Sequence, residues 1–219
     1  MNVRTMRRVD RWIGAPLCAA LTLLRRAQDA LGARADGPPR RIAVLKLAEQ
    51  GATVLAYPAL VQAARAVGRE NLFFVVFAEN RFILDLLGVV PPQNVIAIRT
   101  GGLLRVAADK LRAVARMRRE RIDTAVDFEF FARSSAILSF LSGARRRVGF
   151  HAFHGEAAWR GDLLTHRLSF NPFLHAREMF QLLVHAAEQP PDRLPACEYV
   201  PADAAPLPEY RSDERRLSE

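Results

Sequence analysis

Residues 41–60 read RIAVLKLAEQGATVLAYPAL, an apolar run typical of a buried β-strand that breaks at a glycine turn and continues as a helical pattern. A strand, a tight turn and a helix in this order place backbone N–H groups and turn side chains at the mouth of a parallel sheet. Proteins of the α/β class bind their ligands at this edge. We therefore expect the functional site to lie close to this turn.

The same alternation of strand and helix patterns continues along the chain. Strands are predicted at residues 42–47, 72–77, 95–98, 124–128, 147–150 and 163–170, and helices at residues 53–67, 80–87, 103–121, 134–141 and 173–187. Strands separated by helices of this length are joined by right-handed crossovers. The sequence therefore predicts an α/β fold, a Rossmann-like parallel sheet with helices on both faces, preceded by an amphipathic N-terminal helix.

Breaker-rich segments divide the chain into three predicted parts. The sequence DGPP at residues 36–39 separates a basic amphipathic segment, residues 1–40, from a Rossmann-like domain at residues 41–188. Six of the 13 prolines fall in the last thirty residues, so residues 189–219 have the composition of a linker or tail. Such a linker predicts a second domain beyond this sequence.

The net charge of the chain is strongly positive and is due almost entirely to arginine. The formal net charge is +9, and of 32 basic residues only Lys46 and Lys110 are lysines. Guanidinium groups bind phosphate and carboxylate in bidentate fashion, although a coding bias towards arginine gives the same composition. The helix predicted at residues 103–121 has a net charge of +5, but most such faces are simply solvated. Charge alone does not select among anionic partners.

Cysteine and histidine spacing gives no sign of a disulfide framework or a metal site. Cys18 and Cys197 form no CxxC pair, which favours a reducing cytosol. His151, His154 and Glu156 lack a matched second pair at zinc-ligand spacing, so we interpret them as ordinary residues. The sequence predicts no metal site and a cytoplasmic location.

The first forty residues combine positive charge with an apolar run. Residues 1–40 contain eight arginines and three aspartates, a net charge of +5, around the apolar run at residues 12–24. That run is too short to span a bilayer, which takes about 20 residues. With Pro16 in the first turn and Leu17, Leu21, Leu24 and Leu31 at helical spacing, residues 1–36 fit a helix on the inner-membrane surface. The alternative is a helix packed on the protein's own surface.

Three segments in order resemble one known family. They are IAVLKLAEQGATVLAYPAL in the first strand and turn, RRERIDTAVDFEFFARSSAILSFLSGARRRVGF in the fourth and fifth strands, and HAREMFQLL in the closing helix. Together they resemble the heptosyltransferase family of glycosyltransferases (family 9). The likeness covers about residues 41–188, which corresponds to the N-terminal half of a two-domain GT-B enzyme.

The resemblance implies an activity and its substrates. It implies transfer of a sugar, typically heptose from ADP-heptose, to a lipopolysaccharide core or another surface polysaccharide at the cytoplasmic face of the inner membrane. It also implies inversion at the anomeric carbon, no metal and no cofactor. The acceptor would bind the N-terminal half and the nucleotide-sugar mainly the C-terminal half, so this chain alone would be inactive.

The first turn departs from the pattern of the family. That pattern resembles L-G-x-x-G-D, with the acidic residue as the proposed general base. Here Gly51 is kept, but Ala52 stands where the aspartate is expected, and an alanine cannot take a proton. Glu49 is the nearest carboxylate and is the candidate base if burial lets it hold a proton near neutral pH. Otherwise Glu49 binds an acceptor hydroxyl, caps the next helix, or takes no part in catalysis. Gln50, Gly51, Ala52 and Thr53 are predicted to contact the acceptor.

A second group of candidate residues follows the fourth strand. Asp127, Glu129 and Arg133 lie where that strand ends, so they can converge on a sugar beside an apolar wall such as Phe130. The alternative is that Asp127 and Arg133 pair with each other and only fix the loop.

The fifth strand offers a third group. Residues 145–147 are consecutive arginines, and His151 follows the strand at its cleft end. We predict that Arg147 and His151 contact phosphates or carboxylates of an anionic acceptor. The alternative is solvated charge.

Two further functional classes remain open from the sequence. The arginine-rich helix and a pI near 10.8 fit a nucleic-acid-binding α/β protein, although no helix-turn-helix or RNA-binding motif is recognisable and no nucleic-acid partner is predicted. The basic first forty residues and the absent aspartate fit a non-catalytic scaffold associated with a membrane.

Overall fold

The centre of the molecule is a parallel sheet. The computed structural model describes residues 10–30, 37–153, 159–194 and 207–208. Its six strands follow the order β3-β2-β1-β4-β5-β6, and every neighbouring pair is parallel. They are β1 (Ile42–Leu45), β2 (Leu72–Phe77), β3 (Val95–Ile98), β4 (Thr124–Asp127), β5 (Arg146–Phe150) and β6 (His166–Leu168). The predicted α/β fold with a Rossmann-like parallel sheet is confirmed.

Helices cover both faces of this sheet. They are α1 (Ala15–Ala30), α2 (Gln50–Leu55), α3 (Tyr57–Val67), α4 (Arg81–Leu87), α5 (Leu103–Arg119), α6 (Arg133–Leu141) and α7 (Ala176–Glu188). Ile42 and Val44 of β1 belong to a core cluster with residues of α3 and α7. Ala43 and Leu45 belong to a second cluster with residues of α5 and α6. This alternation follows from the two-residue period of a strand.

The predicted helix at residues 53–67 is in fact two helices. Its first part, α2, begins at Gln50, and α3 begins at Tyr57 after a break at Ala56. Pro58 explains the break, because it lacks the N–H that a continuous helix would use and sits instead in the first turn of α3. The turn after β1 is therefore followed by a short helix of only six residues.

The bounds of the sixth strand and of the last helix also differ from the prediction. The sixth strand is shorter than residues 163–170, spanning only His166–Leu168. Helix α7 begins at Ala176 because His175 caps it: the Arg177 N–H donates to His175 Nδ1, and the His175 N–H donates to Glu178 Oε2 (both 3.3 Å).

The predicted N-terminal helix is present as α1, and one of its faces packs on the domain. Cys18 and Leu21 are buried against Ala136, Phe140 and Leu163. This packing agrees with the alternative of a helix on the protein's own surface for the face that contains Leu21, whereas Leu17 and Leu24 are exposed. Residue 31 lies outside the described residues. Among the described helices, none is both long and apolar enough to cross a membrane.

Candidate functional site

The candidate site lies where β1 and β4 end side by side. In the register of the sheet, Leu45 pairs with Asp127, so the segments that follow both residues emerge at the same level. The chain runs outward from β1 to β3 on one side and to β5 and β6 on the other. This is the topological switch point at which open α/β sheets bind ligands.

The turn after β1 presents an exposed carboxylate next to a buried ammonium. Lys46 is 1% exposed, and its Nζ lies 2.8 Å from Glu49 Oε2, while the Glu49 side chain is 70% exposed. The Glu49 backbone has φ 68°, the left-handed region, which is uncommon for a residue other than glycine. Strained backbone of this kind often marks functional turns.

Glu129 holds this turn from the neighbouring strand end. Its Oε1 accepts hydrogen bonds from the Leu47 N–H (2.8 Å) and the Ala48 N–H (3.2 Å). Its Oε2 lies 3.4 Å from Lys46 Nζ. The Glu129 carboxylate is thus engaged by its own chain, which argues against its predicted role as a direct acceptor ligand and makes it a positioning residue for the turn.

Asp127 lies beneath the site and not within reach of a ligand. It is completely buried; its Oδ2 accepts from Ser135 Oγ (2.9 Å) and pairs with Arg160 Nη1 (2.7 Å), and its Oδ1 accepts from the Glu129 N–H (3.0 Å). Burial raises the pKa of Asp127 to about 6, against the opposing effect of Arg160. The predicted sugar contact by Asp127 is not supported, because no face of the side chain reaches solvent.

Arg160 connects several parts of this buried network. It is 2% exposed, and beyond Asp127 its guanidinium donates to the Glu129 carbonyl oxygen (3.2 Å) and to the Phe150 carbonyl oxygen. The alternative that Asp127 pairs with Arg133 is therefore wrong, because Asp127 pairs with Arg160. Arg133 Nε instead donates to the Trp159 carbonyl oxygen (2.7 Å).

The four residues after Glu49 have different environments. Gln50 and Gly51 are exposed at the start of α2 and remain available to a ligand. Ala52 packs against the core, and Thr53 is 1% exposed with its Oγ1 donating to the Glu49 carbonyl oxygen (3.3 Å). The predicted acceptor contact by Thr53 is not supported, and Glu49 makes no side-chain hydrogen bond that caps the helix.

Arg147 lies near the amino end of β5, whereas the candidate site lies at the carboxyl ends of the strands. Arg147 pairs in register with Ala125 near the start of β4, at the end of the sheet opposite to Asp127. Its guanidinium donates to the carbonyl oxygens of Leu163 and Ala144 (both 2.6 Å) and lies 5.3 Å from the centre of the Phe140 ring. The prediction that Arg147 binds an anionic acceptor is not supported, because the side chain is buried and fixes the protein's own backbone.

His151 does lie at the cleft end of β5. The ring is half-buried and packs edge-on against Phe153, with 4.7 Å between ring centres. Burial, helped by the charge of Arg167, lowers the pKa of His151 and so favours the neutral ring. Its Nδ1 is buried with no hydrogen-bond partner among the described residues. Residues 154 and 156 lie outside the described residues.

Sequence reasoning missed Lys46 and Arg160. One signal for Lys46 was available, since it is one of only two lysines and directly follows an apolar strand. Arg160 has no such signal, because it lies in an irregular segment 33 residues from its partner Asp127. In the part of the chain that the structure describes, no group of three or more His, Cys, Asp or Glu side chains is placed to hold a metal ion.

Comparison with known proteins identifies solved structures that are similar to this architecture. No family model and no curated protein matches the sequence. Among solved structures, the fold is similar to E. coli ADP-heptose LPS heptosyltransferase II, with 16% identity and TM-score 0.58 over 81% of this chain and 49% of that one. It is also similar to E. coli heptosyltransferase WaaC with ADP-2-deoxy-2-fluoro heptose, with 17% identity and TM-score 0.56 over 67% of this chain and 48% of that one. A glycosyl transferase of family 9 from Veillonella parvula matches at 13% identity, with TM-score 0.54 over 70% of this chain and 42% of that one.

These likenesses define the fold. The chain has the architecture of one Rossmann-like half of a GT-B fold. More particularly, the fold is similar to that of the two heptosyltransferases and of the family 9 glycosyl transferase, and the chain spans about half the length of the solved structures that it matches.

Proposed function

We propose that this chain is the acceptor-binding, N-terminal half of a glycosyltransferase of the heptosyltransferase type. The observation that carries the proposal is the exposed Glu49 carboxylate, held by the buried Lys46 at the switch point of a heptosyltransferase-like fold. A polyhydroxylated acceptor needs hydrogen-bond acceptors at such a position, and the exposed Gln50 and Gly51 beside Glu49 leave room for it.

The proposed donor is a nucleotide-sugar similar to ADP-heptose. Two of the similar structures were determined with ADP or with ADP-2-deoxy-2-fluoro heptose, which supports this class of donor. In the proposal a second lobe binds most of the donor, so these 219 residues alone transfer little or no sugar. Closure of two lobes brings donor and acceptor together and excludes water.

The proposed reaction is a single displacement without a metal ion. An acceptor hydroxyl oxygen forms a bond to the anomeric carbon while the bond from that carbon to the nucleotide phosphate breaks, with inversion. The hydroxyl proton passes to a base, for which Glu49 is the exposed carboxylate of the turn. The burial that the sequence-based prediction required for Glu49 is absent, so Glu49 would receive the proton from a solvent-accessible position.

The proposed acceptor is a lipopolysaccharide core or another surface polysaccharide, and the proposed location is the cytoplasmic face of the inner membrane. The net charge of +5 in residues 1–40 supports attachment to a membrane surface that carries anionic lipids.

A binding experiment distinguishes this proposal from its two rivals. The full chain is titrated calorimetrically with a lipopolysaccharide core oligosaccharide and, separately, with random duplex DNA at low and high salt. We expect saturable oligosaccharide binding that Glu49→Gln weakens. Binding to DNA that falls steeply with salt, without oligosaccharide binding, would establish a nucleic-acid-binding protein instead. Binding to neither would favour a non-catalytic scaffold.

A further inference from the structure

Residues 12–24, which comprise the end of a π-helical turn (Asp10–Gly14) and the first part of α1, have two apolar faces, and only one of them is covered. Every exposed residue between positions 12 and 24 is apolar, and the largest are Trp12 (76% exposed), Ile13 (61%) and Leu23 (68%), with Leu17 and Leu24 beside them. At 1.5 Å per residue, this charge-free outer face is about 20 Å long. An amphipathic surface helix normally has polar residues opposite the face that it packs on its own protein, so a second apolar face on the solvent side is available to a partner.

The opposite face of α1 is fixed to the segment that carries Arg160. Arg25 Nη1 lies 2.7 Å from Asp162 Oδ1, and the Asp162 N–H donates to Thr22 Oγ1 (2.9 Å). Gly161 has φ +76°, and a Cβ there would lie 3.0 Å from the Cys18 carbonyl oxygen. The helix thus lies directly on the backbone of the segment, and only glycine allows this approach.

The same segment holds the candidate site. Arg160, two residues before Asp162, pairs with Asp127 and donates to the Glu129 carbonyl oxygen, and Glu129 in turn accepts from the Leu47 and Ala48 N–H groups. A continuous chain of short contacts therefore joins the inner face of α1 to the turn that presents Glu49.

We infer that α1 is a two-sided adaptor: its outer face inserts into an anionic lipid surface, while its inner face holds the Arg160–Asp162 segment that sets the candidate site. This deepens the membrane attachment included in the proposed function, and it adds that binding to lipid orders the site. In this proposal the lipid surface binds α1 more tightly when α1 is packed on the domain than when it is free, so binding stabilises the packed form and the segment that it holds.

The charge and size of the outer face favour lipid over a second copy of the chain. Residues 1–40 carry a net charge of +5, and the exposed Arg26 follows the apolar face, a pattern that suits anionic headgroups around an inserted helix. Since a helix is about 10 Å wide, the outer face covers only about 200 Å². A stable protein interface buries about 800 Å² on each partner.

Vesicle binding tests the lipid contact. The full chain is mixed with vesicles of phosphatidylcholine alone or with phosphatidylglycerol added, and bound protein is measured by flotation. We expect binding to the anionic vesicles and a blue shift of Trp12 emission in a Trp159→Phe background. The triple variant Ile13→Gln, Leu17→Gln, Leu24→Gln is expected to bind at least tenfold less, because three large apolar side chains no longer enter the lipid. Leu104→Gln, at an 89% exposed leucine of α5, is the matched control and keeps full binding.

Hydrogen exchange tests the connection to the site. Anionic vesicles should slow exchange of the Asp162, Leu47 and Ala48 amides, and the variant Thr22→Ala, Arg25→Gln should bind vesicles but lose this slowing. Equal slowing in that variant overturns the connection. If the triple variant binds vesicles as well as the unmodified chain does, the lipid contact is wrong. If the unmodified chain and the Leu104→Gln control form a dimer and the triple variant does not, the outer face binds a second copy of the chain instead. None of these measurements involves a sugar, so their failure is distinct from failure of the proposed function.

Discussion

The two ends of the sheet both collect charged side chains, but they use them differently. At the carboxyl end of β1, Glu49 reaches solvent while Lys46 and Glu129 hold its turn from below. At the amino end of β5, the buried Arg146 and Arg147 donate to backbone carbonyl oxygens. A charged residue near a strand end is thus a ligand candidate only if its side chain does not already bind other groups of the protein.

The largest expected effect comes from removing the cation beneath the site. Arg160→Met leaves the buried Asp127 carboxylate without its partner, which we expect to lower the free energy of unfolding by about 3–5 kcal/mol at pH 7. Arg145→Met, at an exposed arginine, is the control and should change stability by less than about 0.5 kcal/mol. Urea unfolding measures both variants, and equal small effects would contradict the buried network.

Two buried groups should give the stability opposite dependences on pH. The pKa of Asp127 is raised by burial to about 6, so its contribution is present at low pH and is lost as the pH rises through 6. The pKa of His166 is lowered by burial to about 4, so its contribution is present above pH 6.5 and is lost as the pH falls through 4. Each shift corresponds to about 3 kcal/mol, and the two slopes oppose each other between pH 4 and 6.

Single substitutions separate these two slopes. Asp127→Asn should leave a stability that rises with pH between 4 and 6, and His166→Gln should leave one that falls. Urea unfolding across this pH range provides the measurement. Identical pH profiles for the two variants would mean that these groups do not titrate as their burial implies.

Arg147 sharpens the contrast between the two ends of the sheet. Arg147→Met removes hydrogen bonds from a charged donor to the Leu163 and Ala144 carbonyl oxygens, which should cost about 2 kcal/mol of stability. Affinity for a core oligosaccharide should not change, as calorimetry would show. A variant of normal stability that binds the oligosaccharide weakly would restore Arg147 as an acceptor ligand.

Substitution of Glu49 should do the reverse of substitution of Arg147: it should change oligosaccharide affinity and have the smallest effect on stability. Glu49→Gln removes an ion pair whose carboxylate is 70% exposed, so we expect a stability change of at most about 1 kcal/mol. Oligosaccharide affinity should fall clearly, since the turn loses its exposed carboxylate. Unchanged affinity, together with normal turnover when a nucleotide-sugar-binding lobe is supplied, would remove Glu49 from the site.

Most of the fold could be predicted from local pattern. The strands at residues 72–77 and 95–98 were predicted with the correct bounds, because parallel strands buried on both faces are continuous apolar runs. The break between α2 and α3 was missed even though Pro58 marks it. The packing of α1 could not be predicted, because a helix that is apolar on two faces does not reveal which face the domain covers.

Less of the candidate site could be predicted, and the reason is physical. Sequence position places Asp127 and Glu129 at the correct strand end, but it does not show that Arg160, from a distant irregular segment, buries one of them. Arg147 and His151 lie only four residues apart, and yet the strand between them carries them to opposite ends of the sheet. Only the three-dimensional partners separate residues that meet a ligand from residues that hold the fold.

The most direct test of the difference between the two ends of the sheet is to follow oligosaccharide binding by NMR through the amide resonances of the full chain. On addition of a lipopolysaccharide core oligosaccharide, the amides of residues 47–51 should shift, together with those of residues 128–133, while those of residues 145–147 stay in place. Shifts confined to residues 145–147, with none in the turn at Glu49, would contradict the account.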